Sequence, residues 1–144
     1  MLAHLTPLLL VVVLSGCQTA PKGPPGPMHL GATLEQIDIA CVRASMLDSL
    51  VRAGWTIRQA SDALIVADRR TEAIGPRLHY GRNLSERVTA TLIPLPDGMR
   101  LNLQGAYAAN PGTGLEEVHP QPFSPEDEGV WEAARGRLAT KCGL

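Results

Sequence analysis

Between residues 33 and 54, apolar side chains return every three or four positions: Ile37, Cys41, Ala44, Leu47 and Val51, with Ala40 and Leu50 widening the stripe. That period matches one face of an α-helix. Thr33-Leu34-Glu35-Gln36 fits a capping box at its start, and Gly54 stands where a helix closes on a left-handed residue. The period then drops to two. Trp55, Ile57 and Gln59 alternate with Thr56 and Arg58, Ser61-Asp62 supplies a turn, and residues 63–68 (ALIVAD) read as a second strand, together a hairpin. Val88 to Ile93 is a β-branched strand that Pro94 ends, and Pro96-Asp97-Gly98 is a turn. Met99, Leu101 and Leu103 alternate with Arg100, Asn102 and Gln104, as in a strand buried on one face. Ser124-Pro125-Glu126-Asp127 opens a last helix, with Ser as cap, Pro in the first turn and acids where the helix dipole favours them. Its stripe is Trp131, Ala134, Leu138 and Cys142, and Gly143 lies just past its end. Residues 70–86 and 108–123 show no period and read as loops.

This order predicts an α+β fold: an antiparallel sheet of about four strands, with an N-terminal and a C-terminal helix packed on one face (αββββα). Two amphipathic helices and four amphipathic strands hide their apolar sides together in that arrangement. The other sheet face is left for water or a partner. One domain, 33–144, accounts for all these elements, and a chain of that size buries a real core.

The amino-terminal part has a different character. Leu5 to Leu14 is a mainly apolar stretch of about ten residues, half of the ~20 that a membrane-spanning helix needs. Its length suits the apolar region of a secretory signal. Leu14-Ser15-Gly16-Cys17 follows, and those four residues resemble the lipobox of bacterial lipoproteins. The resemblance implies a leader, 1–16, removed in the mature protein, and a Cys17 whose thiol carries diacylglycerol and whose new amino group is acylated. Several acyl chains at ~0.8 kcal/mol per buried methylene anchor a protein firmly. The usual Lys or Arg near the start of such a leader is absent here. Gln18, where an Asp retains Gram-negative lipoproteins at the inner membrane, implies the periplasmic face of the outer membrane. Residues 17–32, rich in Pro and Gly, read as an extended tether.

An oxidising compartment changes the meaning of the other two cysteines, Cys41 and Cys142. Each falls on the apolar stripe of its helix, and the helices are expected to be neighbours, so a disulfide between them is expected. The alternative is a pair of buried thiols acting as small hydrophobes.

Composition narrows the activity more than it names one. A formal charge of −1 speaks against a general nucleic-acid binder, which carries a basic face for phosphates. With aromatics at 3%, the core must be built largely from Leu, Val, Ile and Ala. Nucleophile-elbow, zincin, C-x-x-C and P-loop motifs are all absent from the sequence. No catalytic, metal or cofactor residue is therefore assigned. His79 and His119 read as solvated loop histidines, and Asn110-Pro-Gly-Thr-Gly114 as a flexible turn. Glu116-Glu117 reads as loop surface and Glu126-Asp127-Glu128 as helix N-terminal charge. Arg69, Arg70, Arg77, Arg82 and Arg87 make the approach to the second hairpin locally basic, a solvated loop in the plain reading and a contact for lipid phosphate or cell-wall polymer in the sharper one.

Helix followed by hairpin, with Gly-Trp at the junction (Arg52-Ala-Gly-Trp-Thr-Ile57), resembles small domains of periplasmic lipoproteins, including accessory subunits of outer-membrane assembly machines. The expectation is a membrane-anchored, non-enzymatic envelope lipoprotein that binds the bilayer through Cys17 and another envelope protein through its open sheet face or long loops. The alternative is a binder of a small amphiphile or cell-wall fragment.

Overall fold

A computed structural model describes residues 25–144. The leader and Cys17 lie outside the described residues. The elements run β1 (His29–Glu35), α1 (Ile39–Arg52), β2 (Thr56–Ala60), β3 (Leu64–Arg70), α2 (Ile74–Tyr80), β4 (Leu84–Leu95), β5 (Gly98–Ala109), β6 (Glu117–Gln121) and α3 (Pro125–Cys142). The class is α+β with an antiparallel sheet, as expected, but among the described residues the sheet has six strands rather than four and there are three helices rather than two. The strands lie in the order β1-β5-β4-β3-β2, and β6 also pairs with β5. β5 is long enough to carry two partners along one edge. Its first half, Gly98 to Gln104, pairs with β1, and its second half, Gly105 to Ala109, pairs with β6.

α1 and α3 are joined to the same side of the sheet by one apolar cluster. Val42, Met46 and Leu50 of α1 and Trp131, Ala134 and Leu138 of α3 meet Ile65, Ala67, Val88, Ala90, Leu92, Met99, Leu101 and Leu103. Period-two burial along β4 and β5 follows from the pleat, which sends alternate side chains to the helices. The C-terminus is sewn to the segment before α1. Asp38 N–H donates to the Cys142 carbonyl at 2.8 Å, and Leu144 N–H to that of Gln36 at 2.8 Å. Among the described residues, no helix is long and apolar enough to cross a membrane.

Several expectations need correction. The capping box at Thr33–Gln36 does not form, and residues 29–32, read as tether, are not tether. Together, residues 29–35 build β1, whose Leu30 and Leu34 are buried while His29, Gly31, Thr33 and Glu35 face outward. Pairing with β5 brings seven residues into register with a partner strand, and alternate ones among them exchange backbone hydrogen bonds with it. α1 starts later, where the Asp38 side chain accepts from Ala40 N–H at 2.9 Å and Cys41 N–H at 3.2 Å. Its buried face is correspondingly turned: Val42, Ser45, Met46 and Leu50 are inside, Cys41 and Leu47 are partly covered, and Val51 is 59% exposed.

The first loop, 70–86, contains α2 and the start of β4, and the second, 108–123, contains the end of β5 and all of β6. Pro120 sits in β6, an edge strand, where its missing N–H need not break the sheet. Pro94 does not end β4, which runs on to Leu95 before the turn. The first hairpin, Gly54 and α3 stand as read. Gly54 adopts φ +80° just after α1. At α3, Ser124 Oγ accepts from Asp127 N–H at 3.1 Å, while the Asp127 carboxylate accepts from Ser124 N–H at 2.9 Å.

Candidate functional site

Cys41 and Cys142 form a disulfide between α1 and α3, with their Cα atoms 5.6 Å apart although they stand 101 positions apart in sequence. It lies beside the apolar cluster, so it fixes the two helices against each other as well as closing the chain. The bond is the one the sequence anticipates, reached although Cys41 sits at the rim of the buried face of α1 rather than at its centre.

On the face of the sheet away from the helices, three strands and a loop converge on four charges. Asp68 of β3 stands opposite Arg87 of β4. Its Oδ1 accepts from Arg87 Nε at 2.7 Å, and its Oδ2 accepts from Arg87 Nη2 at 2.8 Å and from Arg58 Nε at 3.0 Å. The far side of the Arg87 guanidinium donates to Glu116 at 2.6 Å, and Glu116 also accepts from Gly112 N–H at 2.7 Å. The β5–β6 loop is thereby strapped to the sheet. Glu116 is held at a pKa of about 2 by the Arg87 hydrogen bond first and the Gly112 N–H second. Arg87 is pushed higher by its bonds to Asp68 and Glu116. Both carboxylates accept hydrogen bonds from Arg87, an arrangement that suits a clasp. Loop position alone suggested a solvated Glu116; its side chain is instead the outer half of this pair, 26% exposed.

The next rung of the same ladder repeats the charge pair on the helix side. Arg69 Nη2 donates to Glu86 at 2.6 Å, and its guanidinium lies 4.7 Å over the Trp55 ring. Near this end, Tyr80 closes α2 and stacks on His119 of β6, ring centroids 4.4 Å apart, with Tyr107 at 5.8 Å. His79 meets the Tyr80 ring edge-on at 4.5 Å. His119 is therefore a stacking partner within a strand, not a loop residue. No group of three His, Cys, Asp or Glu side chains is arranged to hold a metal among the described residues.

The five arginines grouped by the sequence fall into two sets. Arg69 and Arg87 are consumed by buried acids, whereas Arg77 lies in α2 and Arg70 and Arg82 flank it, with Glu72 within reach of Arg70 and Arg77. Between α1 and α3 lies a cleft of about 160 Å³, lined by Met46, Ser49, Ala134 and Arg137 among others.

Six antiparallel strands backed on one face by two disulfide-linked helices define an α+β domain of two layers, with a charged clasp on its uncovered face. The chain matches no protein-family model, no curated protein and no solved structure.

Proposed function

We propose that this chain is a lipoprotein of a bacterial envelope, cut before Cys17 and anchored by acyl chains on that thiol. Its folded part serves as a non-enzymatic docking module for another envelope protein. The Cys41–Cys142 disulfide is the observation that carries the reading. Such bonds persist outside the cytoplasm, where a lipobox would send the chain. Docking is favoured by the uncovered sheet face, where Thr33, Ile93 and Arg100 present mixed apolar and polar groups on adjacent strands. A small amphiphile held between the helices is less favoured, because the cleft there, about 160 Å³, falls below the ~300 Å³ at which ligand sites begin.

Mass spectrometry of the amino-terminal peptide from native membranes tests the anchor, with diacylglycerol and an acyl chain expected on Cys17. An unmodified sulfur there, or a retained leader, overturns the reading. Photocrosslinking from position 100 in intact cells tests the module and is expected to trap one defined envelope protein. A glycan or lipid recovered in its place would favour the amphiphile reading.

A further inference from the structure

α2 keeps two large apolar side chains in water. Ile74 is 67% exposed and Leu78 is 82% exposed, one helical turn apart and hence on one face. The helix is not loose on the body: Tyr80 at its end is stacked on His119 and lies beside Tyr107. Arg77 lies within it, 29% exposed, and Arg70 and Arg82 flank it; Glu72 is 3.7 Å from Arg70 and 3.5 Å from Arg77, and the Arg70 side chain is 77% exposed. Pro27, near the start of the described residues, is bonded just beyond the end of β6 that meets Tyr80. Phe123 N–H donates to the Pro27 carbonyl at 2.9 Å, and Gln121, two residues earlier, reaches the Tyr80 hydroxyl at 3.4 Å. The nine steps from Cys17 to Gly26 span at most roughly 30 Å, so a bilayer holding Cys17 lies within reach of α2.

We propose that α2 is an interfacial docking element, with Ile74 and Leu78 entering the headgroup region of an anionic bilayer and Arg70, Arg77 and Arg82 meeting lipid phosphates. The inference rests on the lipoprotein reading for the presence of that bilayer. Apolar anchors ringed by cations are what a membrane surface of negative charge recognises. Two side chains alone bind weakly, but a tether turns the contact into an intramolecular event at high effective concentration.

The chain from Cys17 to Leu144, coupled through the Cys17 thiol to a maleimide phospholipid, supplies the tether whether or not cells acylate it. Leu78→Trp places an indole on the exposed face, and the parent chain corrects for Trp55 and Trp131. On vesicles of phosphatidylcholine with phosphatidylglycerol, the added indole is expected to shift to the blue and to be quenched by brominated acyl chains. Each of Arg70→Gln and Arg82→Gln is expected to weaken docking about five-fold, and Ile74→Asp is expected to abolish the shift. Emission unchanged from that in buffer overturns the proposal. A shift that grows with chain concentration on neutral vesicles also overturns it, because a second copy then covers the helix. The native Cys17 peptide is read separately: an unmodified sulfur sinks the anchor but leaves a positive docking result standing for α2.

Discussion

Arg87 and Asp68 face each other across the β3–β4 ladder and share two hydrogen bonds, of 2.7 and 2.8 Å, on the sheet face away from the helices. On the adjacent rung, Arg69 and Glu86 pair in the opposite sense, base on β3 and acid on β4, on the helix side. Each face of the sheet thus receives one neutral pair where its strands leave the apolar core. Asp68 and Glu86 are 4% and 5% exposed, and each is hydrogen-bonded to its arginine.

Removing one member of such a pair strands the other. Arg87→Met is expected to destabilise the fold by about 3 kcal/mol in urea unfolding, since it leaves Asp68 with Arg58 alone. Glu116→Gln is expected to cost no more than about 1 kcal/mol, because that carboxylate is closer to solvent. Equal losses for the two variants would show that the strap, not the buried acid, dominates.

The Glu116 clasp also sets an acid limb. Its pKa is depressed from an ordinary 4.5 to about 2, so the folded state binds this proton less readily than the unfolded one. The stability it contributes is present above 4.5 and is lost as pH falls toward about 2. Stability measured from pH 5 to 2 is expected to fall less steeply in Glu116→Gln; an unchanged slope would remove Glu116 from the acid limb.

Tyr107 gives the mirror case in alkali. Burial first, then the Glu86 charge, pushes its phenol up to about 12 from 10. The unfolded chain releases that proton first, so stability is intact below 10 and lost as pH rises to about 12. Tyr107→Phe is expected to flatten the loss over this window, seen as a smaller drop in Tm between the two pH values.

Reduction of the Cys41–Cys142 bond releases a loop of about 100 residues. A loss of up to ~4.7 kcal/mol is expected from the chain-entropy estimate, with the fold retained at low temperature. The pair Cys41→Ala with Cys142→Ala should behave alike, and thiol titration of the oxidised chain should find neither cysteine free.

Gly98 is fixed by contact rather than by its own backbone angle. A Cβ there would run into the Leu34 carbonyl and Glu35 Cα of β1. Gly98→Ala is expected to cost ~1–3 kcal/mol and to raise hydrogen exchange in β1 selectively. Unaltered exchange at Leu34 and Glu35 would mean that β1 moves aside freely.

What could be read from the chain alone is what neighbouring residues settle between themselves. Ser124, Pro125 and Asp127 are enough to start α3, since its capping box closes within four residues. Gly54 and the change of period at Trp55 were legible for the same reason. Thr33–Gln36 offered a local cap too, yet pairing with β5, some 65 residues on, outweighed it. The alternation of Leu30, Ala32 and Leu34 was a usable signal, hidden beside a Pro- and Gly-rich run. β6 and α2 had no period to find, because a five-residue edge strand and a seven-residue helix owe their form to β5 and to Tyr80 stacking.

By itself the sequence determined the α+β class, α3 with both its ends, the central hairpins and the two cysteines that meet. Only the tertiary structure decided which face of α1 turns inward, that six strands rather than four share the sheet, and that Arg58, Asp68, Arg87 and Glu116 form one cluster. Caps, turns and periodicity are energies of short range along the chain. Edge pairing and ion pairing join residues far apart in it, and no local pattern encodes the register that brings them face to face.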